Sequence, residues 1–394
     1  MIWPFEESGG VVHLYPTLCL NTRLREPVCM ECLYACPADA LHLTGDPQVP
    51  ISLDSETCRR CGICVSVCPM SAFIQVGQRD RREHITRAMK DLRGSSVELV
   101  CPQRFDEPLT RSPADVRVQA GMCLAALSLS SLLAWVLILG QDLWLDDTPC
   151  MSCPYKGKDR VISLANQANR LLEAWGREER VRLVSHASAF PHPVEEYKGP
   201  QEAYTRREAF QELKRMVSRS LGRQLAERLP PPPPPQDPGD LPVERQRLLA
   251  VLPYLGTPVV KEMYTRGLPF ATVSVSDACT GCDLCTRVCP TQALVAEENE
   301  EEYRLSFIPA RCLGCDVCVK ACPVQAIETR PFINPHTLLT GESEIVIEGR
   351  RGTCEVCNAP IRLREGPDGH LCHVHLSTSL PHEHATGASP SDRD

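Results

Sequence analysis

The spacing of the cysteines constrains this chain more than any other feature. The pattern C-x2-C-x2-C-x3-C-P occurs complete three times, beginning at Cys58, Cys279 and Cys312. A fourth copy, Cys29–Pro37, lacks its first cysteine and has Glu26 at that position. The copies form two pairs, and the gap within each pair contains a stretch typical of a β-hairpin. Such short spacings place several thiols on one loop, so the pattern indicates metal centres.

The composition favours metal binding in a reducing compartment. The chain has 394 residues, of which 23 are cysteines, and only 5% are aromatic. The stretch MIWPFEESGG shows neither the basic nor the apolar region of an export signal, so we expect a cytoplasmic location and reduced thiols. The net charge of -8, without a sustained basic run, argues against a nucleic-acid partner.

The paired motifs resemble the bacterial two-cluster ferredoxin family, and they do so twice, over about residues 13–80 and 270–332. The second predicted module is 263–335. In that family the closely spaced cysteines of one motif bind one [4Fe–4S] cluster, and the cysteine before proline binds the neighbouring cluster. The resemblance therefore implies two clusters in each module, with crossed ligand sets. Zinc is the alternative metal, but it favours two C-x2-C pairs over a triple spacing that ends in Cys-Pro.

The crossed arrangement assigns the motif cysteines to four sites, which we name A to D. Site A contains Cys29, Cys32 and Cys68, and lacks a fourth ligand from the usual position. Site B consists of Cys36, Cys58, Cys61 and Cys64. Site C consists of Cys289, Cys312, Cys315 and Cys318, and site D of Cys279, Cys282, Cys285 and Cys322.

The missing ligand of site A has two candidates. Cys19 lies ten residues before Cys29 and completes the set if the usual x2 loop is lengthened. Glu26 stands at the aligned position, and a carboxylate can bind iron. A three-iron cluster, which needs only three cysteines, is a third interpretation. We favour Cys19, because a thiolate is the softer ligand and the better match to an iron–sulfur cluster.

Residues 81–195 follow a different pattern, in which strand-like and helical stretches alternate. Strands are predicted at VELV, VRVQA, DLWLDD and VRLVSH, and amphipathic helices at REHITRAMKDL and VISLANQANRLLEAW. The alternation predicts a small parallel sheet with helices on both faces. The segment Gly121–Gly140 carries no charge and is long enough to span a bilayer. We interpret it instead as a buried helix, Met122–Leu139, without membrane insertion.

Four further cysteines follow the predicted strands of this domain: Cys101, Cys123, Cys150 and Cys153. Because the carboxyl ends of parallel strands meet at one edge of a sheet, we expect these thiols to converge on a middle-domain site. Together with TPCMSCPYKG, the pattern resembles the small iron–sulfur subunit of methyl-viologen-reducing hydrogenase and heterodisulfide reductase systems. That resemblance implies a [2Fe–2S] cluster. The alternative is two structural thiols plus a zinc-binding or redox-active C-x2-C pair.

The remaining segments suggest connectors and one further metal site. Residues 196–262 contain two helical stretches, separated by a stiff polyproline linker at 229–241. Residues 345–378 have zinc-ribbon spacing, so we expect one structural zinc held by a knuckle from each of two hairpins. Its predicted ligands are Cys354, Cys357, Cys372 and His375, with His370 and His373 as alternative nitrogens. The polar tail at 379–394 is predicted to be disordered.

Together these features predict an α+β multidomain protein that transfers electrons through four [4Fe–4S] clusters and a [2Fe–2S] centre. We found no glycine-rich nucleotide motif, which favours a subunit or partner of a larger oxidoreductase, with other redox proteins as donor and acceptor. The first alternative is an enzyme whose substrate reacts at the middle-domain site. The second is a redox sensor or scaffold.

Overall fold

The computed structural model describes residues 11–102, 111–199, 240–299, 301–366 and 368–379. The first helical stretch of 196–262, the proline run and nearly all of the predicted tail lie outside these residues. The described chain is a mixed α/β structure, with a module of short paired strands around each pair of cysteine motifs and a parallel sheet between the two modules.

The N-terminal module consists of short antiparallel strand pairs around two cysteine loops. Its elements are β1 (Val12–Leu14), α1 (Glu31–Tyr34), β2 (Leu41–Leu43), β3 (Ile51–Leu53), α2 (Ile63–Val67) and β4 (Phe73–Gln75). Strand β1 pairs with β4, and β2 pairs with β3 as the predicted hairpin. Helices α1 and α2 each lie inside a cysteine motif, so the motif spacing and the helical turn position the thiols together.

The middle domain contains the predicted parallel sheet. Its elements are α3 (Gln78–Asp91), β5 (Val97–Val100), β6 (Arg111–Ser112), β7 (Val116–Gln119), α4 (Leu129–Leu139), β8 (Leu143–Leu145), α5 (Lys158–Ala174), β9 (Val181–Leu183) and β10 (His192–Pro193). The strand order is β7-β5-β8-β9, and every neighbouring pair is parallel. Strands β6 and β10 form a separate antiparallel pair. Strand β5 therefore lies between the two strands that precede the other cysteines.

The described helices of this domain lie on one face of the sheet, and the prediction of helices on both faces is wrong for these residues. Leu99 and Leu145 are in register and belong to the same buried cluster as the side chains of α3, α4 and α5. The opposite face carries the buried ion pair of Arg117 with Glu98, at 3.1 Å. Ser112 of β6 donates to Glu98. Because the ion pair and the Ser112 hydrogen bond already satisfy the buried charges, this face of the sheet needs no covering helix.

The uncharged segment Gly121–Gly140 is not one continuous helix. A short 3-10 turn, Leu124–Ala126, precedes Ser128, whose hydroxyl accepts the Ser131 N–H and begins α4. Eleven residues at 1.5 Å rise give α4 a length of about 16 Å, roughly half the hydrocarbon thickness of a bilayer. Among the described residues, no helix is long and apolar enough to cross a membrane.

The C-terminal part of the chain repeats the dicluster pairing and extends it. Its strands are β11 (Met263–Tyr264), β12 (Thr272–Val275), β13 (Leu294–Glu298), β14 (Glu302–Phe307), β15 (Ile327–Arg330), β16 (Phe332–Ile333), β17 (Glu344–Thr353) and β18 (Pro360–Arg362). Its helices are α6 (Val243–Val251), α7 (Leu284–Val288), α8 (Val317–Ala321), α9 (Thr337–Thr340) and α10 (His373–Ser379). Strand β17 pairs with β14 on one side and β18 on the other. The predicted ribbon therefore shares a sheet with the second dicluster module.

The N-terminal module contacts both of the other units through buried side chains. Ile63 of α2 belongs to the large core of the middle domain. On another side of the module, Leu20 and Met70 pack against Leu313 and Val317 of the C-terminal module. The N-terminal module thus lies between the middle-domain site and the C-terminal motifs.

Candidate metal centres

The cysteines of sites A, B and C each line one small cavity. Site B cysteines line a cavity with Val12 and Leu41, and site C cysteines line a second with Val273 and Phe307. The site D thiols are also neighbours: burial raises the pKa of Cys285 to about 12, and the charges of the other three site D thiols contribute. Four thiolates around an apolar cavity repel one another, so these donor sets fit a cationic metal–sulfur core.

The cysteine before proline has the same geometry in all four motif copies. Its sulfur accepts the N–H of an alanine four residues later, as in Ala40 to Cys36 at 3.3 Å. The other three pairs are Ala72 to Cys68, Ala293 to Cys289, and Ala326 to Cys322, at 3.2 to 3.3 Å. In each copy the residue before the alanine has a positive φ, near 50°. The incomplete first motif therefore folds like the complete ones at this loop. The pattern C-P-x-x-A is the sequence signal for this loop, and sequence reasoning overlooked it.

The cavity of site A is lined by Cys19 and not by Glu26. Cys19 lines the same cavity as Cys29, Cys32 and Cys68, whereas Glu26 is exposed. Burial raises the pKa of Cys32 to about 12, and the charges of the other three thiols add to this effect. The position of Cys19 agrees with the ligand that we favoured, and its role as a ligand stays a prediction.

Asn21 closes the lengthened loop of site A. Its side-chain nitrogen donates to the Cys29 carbonyl at 2.8 Å, and its oxygen accepts the N–H groups of Val28 and Cys29, also at 2.8 Å. The side chain is 5% exposed. Sequence reasoning missed this residue, because an asparagine in a polar stretch carries no sign of its partners.

The four middle-domain cysteines converge at the carboxyl edge of the parallel sheet. Burial raises the pKa of Cys150 to about 12, and the charges of Cys101 and Cys153 contribute. Burial also raises the pKa of Cys123, with further contributions from Cys101 and Cys150. Cys150 lies on the 3-10 turn Thr148–Met151. The expected meeting of these thiols at one edge is therefore present.

Two buried aspartates hold the turn that carries Cys150. Asp146 accepts the Thr148 N–H at 3.2 Å and the Thr148 hydroxyl at 2.6 Å. Asp147 accepts the N–H and the hydroxyl of Ser185, which follows β9. These bonds tie the Cys150 turn to two strands of the sheet.

The ligand atoms of the ribbon thiols and of the His375 imidazole all lie within 4.8 Å of one another. Cys357 and Cys372 sulfurs are 3.8 Å apart, and the His375 Nδ1 is 3.5 Å from Cys354 and 3.3 Å from Cys372. A Zn–S bond of about 2.3 Å gives sulfur–sulfur separations of about 3.8 Å in a tetrahedral site. These spacings fit a single zinc ion.

The backbone around Cys354 favours a thiolate. Burial raises the pKa of the Cys354 thiol, but N–H groups of Cys357 and Cys372 donate to its sulfur, and the net effect lowers that pKa to about 5. The second ligand pair departs from the expectation of two hairpins. Cys372 directly precedes α10 and His375 lies within it, because the Leu376 N–H closes a helical turn on the Cys372 carbonyl.

Two buried arginines reach the first cysteine of each motif in the C-terminal module. Arg245 of α6 donates to the Cys312 carbonyl, and its guanidinium lies 4.5 Å from the Phe270 ring centroid. Arg362 of β18 donates to the Cys279 carbonyl at 3.2 Å. Neither was predicted, since nothing local distinguishes them from the other basic residues.

Neighbouring sites form a series. Cys123 of the middle-domain site is close enough to Cys61 of site B for the charge of one to raise the pKa of the other. Cys64 of site B and Cys32 of site A are related in the same way. Site A and site C meet at the buried cluster of Leu20, Met70, Leu313 and Val317, against which Cys68 and Cys315 pack. Finally, Cys318 of site C neighbours Cys285 of site D.

Repeated thiol sets of this spacing, on a fold of paired short strands, define a dicluster iron–sulfur protein. A family model of the 4Fe-4S dicluster domain matches residues 27–72 and 278–326. The ferredoxin of Methanothermococcus thermolithotrophicus is 38% identical over 51 residues, which are 13% of this chain and 82% of that ferredoxin. The chain therefore belongs to the ferredoxin family, and it is an iron–sulfur electron-transfer protein. No solved structure matches it.

The comparisons confirm the predicted 4Fe–4S and ferredoxin character of the two modules. The family matches leave residues 81–195 and 345–378 outside their limits. Cys19 also lies outside the first match, which begins at residue 27. The resemblance of the middle domain to hydrogenase and heterodisulfide reductase subunits therefore stays a hypothesis.

Proposed function

We propose that the protein relays electrons along one internal series of centres, in the order middle-domain site, B, A, C, D. The contact between neighbouring sites, described above, is the observation that carries this proposal. An iron–sulfur cluster supplies one-electron redox chemistry when it is bound. The chain supplies the spacing: thiols of neighbouring sites lie close together at three of the four steps, and a buried apolar cluster joins sites A and C. A continuous series suits a subunit or partner of a larger oxidoreductase, with redox proteins at both ends.

The side chains around the sites exclude water. Ile51 and Phe73 are almost fully buried beside site A, and Phe307 is fully buried beside site C. Burial and N–H···S bonds are two of the factors that set the potential of a thiolate-bound cluster. Since thiols must stay reduced to bind, we propose a reducing compartment, the cytoplasm, as the location.

The middle-domain site is the proposed entry or exit for electrons, and we assign it a [2Fe–2S] cluster. Met151, between two of its cysteines, is 73% exposed, so this end of the series reaches the surface. The six sites together use all 23 cysteines of the chain. The convergence of four thiols on one edge of the sheet favours metal ligation at this site over two isolated structural thiols.

Metal analysis of anaerobically purified protein tests this proposal. Four [4Fe–4S] clusters and one [2Fe–2S] cluster require about eighteen iron and about eighteen sulfide ions per chain. We also expect one zinc. About eight iron ions per chain would mean that only one module is occupied, and the proposed series would be wrong.

Crossed ligation predicts that Cys322→Ser damages the cluster of site D, although Cys322 is nearer in sequence to the cysteines of site C. The matched variant, Cys289→Ser, is expected to damage site C instead. EPR of the reduced full-length variants distinguishes the two outcomes. Loss of site C in Cys322→Ser would reverse the assignment.

Cys19→Ala is expected to remove the site A signal or convert it to a three-iron type, because one of four thiolates is lost. Glu26→Ala should leave the spectrum unchanged, since that side chain is exposed. The measurement is EPR before and after reduction. A spectrum that changes in the Glu26 variant but not in the Cys19 variant would show that the Glu26 carboxylate is the fourth ligand of site A.

A further inference from the structure

Arg362, the last residue of β18, is a charged side chain that the ribbon inserts into the second dicluster module. It is 5% exposed. Its Nε donates to the Cys279 carbonyl at 3.2 Å, and its Nη2 donates to the Asp277 carbonyl at 2.7 Å. Its backbone N–H donates to the Thr280 carbonyl at 2.9 Å. Strand β18 therefore lies directly against the loop that carries the first cysteines of site D.

Two glycines make room for this arginine. A Cβ on Gly281, which has a φ of +69°, would lie 2.9 Å from the Arg362 backbone nitrogen. A Cβ on Gly349 would lie 3.1 Å from Nη1 of the guanidinium. On both sides of Arg362, glycine therefore stands where a larger residue would crowd the arginine. This indicates that the fold is adapted to the position of Arg362.

The positive charge of Arg362 is only weakly compensated by nearby carboxylates. The Asp277 carboxylate is 3.8 Å from Nη2, but that side chain is fully exposed, so solvent screens the pair. The guanidinium otherwise donates to carbonyl oxygens, among them that of Glu348 at 3.4 Å. Burial raises the pKa of the Cys279 thiol, and the charge of Arg362 acts against this by lowering it. Arg362 therefore contributes a positive charge at the Cys279 side of site D.

The ribbon determines where Arg362 lies. Ile361, its neighbour on β18, packs with Cys354 and Cys372 in the ribbon's small buried core. Two of these three residues are proposed zinc ligands. A core of this size is too small to stabilise the β17–β18 hairpin without metal, so the position of Arg362 depends on the zinc site.

We propose that Arg362 raises the reduction potential of the cluster at site D, and that zinc controls this effect by holding the ribbon in place. Reduction adds a negative charge, which a nearby buried cation stabilises more strongly than an exposed one. The inference rests on the proposed occupancy of site D and of the ribbon site. It gives the ribbon a role in electron transfer, since the potential of site D sets how readily the end of the series accepts electrons.

The test compares Arg362→Gln with Arg350→Gln in the full chain. Arg350 lies on β17 of the same ribbon and is exposed, so it controls for the loss of one charge. The site D signal is the one that changes in Cys322→Ser. In an anaerobic EPR redox titration, Arg362→Gln should shift the redox equilibrium of site D at least tenfold toward oxidation, a fall of about 59 mV for one electron. An unchanged midpoint, or the same fall in both variants, would overturn the proposal.

A redox titration of the wild-type chain before and after zinc removal gives an independent result. It tests the proposal even if Arg362→Gln does not retain its cluster at site D. We expect the site D midpoint to fall and the site A midpoint to stay constant. A constant site D midpoint after zinc removal would show that the ribbon does not control it. Absence of any site D signal in the wild type would instead contradict the proposed function.

Discussion

Zinc removal is expected to unfold the ribbon while the visible iron–sulfur absorption persists. The buried core of the ribbon consists of Cys354, Ile361 and Cys372, so two of its three members are proposed metal ligands. Zinc binding at such sites contributes roughly 10–16 kcal/mol in apparent free energy, comparable to the stability of a whole domain. Hydrogen exchange should therefore become fast at residues 354–376 after chelation, and Cys357→Ser should reproduce the change.

The opposite end of β17 provides the internal control for this experiment. Glu344 and Ile345 pair with β14 of the dicluster module, so their exchange should change much less. Exchange that is unaffected throughout the ribbon would show that zinc does not hold it. Stoichiometric iron at this site, in protein produced with ample zinc, would also contradict the assignment.

Cys150→Ser and Cys153→Ser are each expected to abolish one redox centre completely while the other clusters remain. The reason is that both thiols belong to the converging middle-domain set, and loss of one ligand of four leaves that metal centre incomplete. Ser152→Ala is the matched control, because Ser152 is exposed in the same loop. The measurement is EPR together with iron content, in which each cysteine variant should lose about two iron ions per chain.

The full chain is the appropriate material for this experiment, because the middle domain shares its core with Ile63 of the N-terminal module. Variants that keep the wild-type iron content and spectrum would show that these cysteines have only a structural role. Simultaneous loss of site B would show that the two sites cannot be separated, since Cys61 and Cys123 are close neighbours.

Features that depend on short sequence separations were predictable. The motif spacing predicted which closely spaced thiols lie together, because the turn of α1 or α2 and the C-P-x-x-A loop act within a few residues. The thiol that each set takes from the paired motif was instead implied by the family resemblance. The parallel strands were also predictable from their apolar alternation. The same alternation placed Glu98 and Arg117 on a polar face, so the absence of described helices there could have been inferred.

Features that depend on distant residues were not predictable. The apolar run around α4 is interrupted at Ser128, whose capping bond to Ser131 is hidden among uncharged neighbours. The pairing of β17 with β14 joins strands far apart in sequence, and no local pattern encodes it. The seating of Arg362 follows from that pairing, and so could not be found before the fold was known.

EPR of the fully reduced protein tests the central claim, a continuous series that crosses from one dicluster module to the other. Site A and site C meet at the buried cluster that contains Met70 and Leu313, so the spins of their reduced clusters should interact. Cys315→Ser, which is expected to damage site C, should therefore change the lines of site A, identified beforehand through Cys19→Ala. Site A lines that are identical with and without an intact site C would contradict the account.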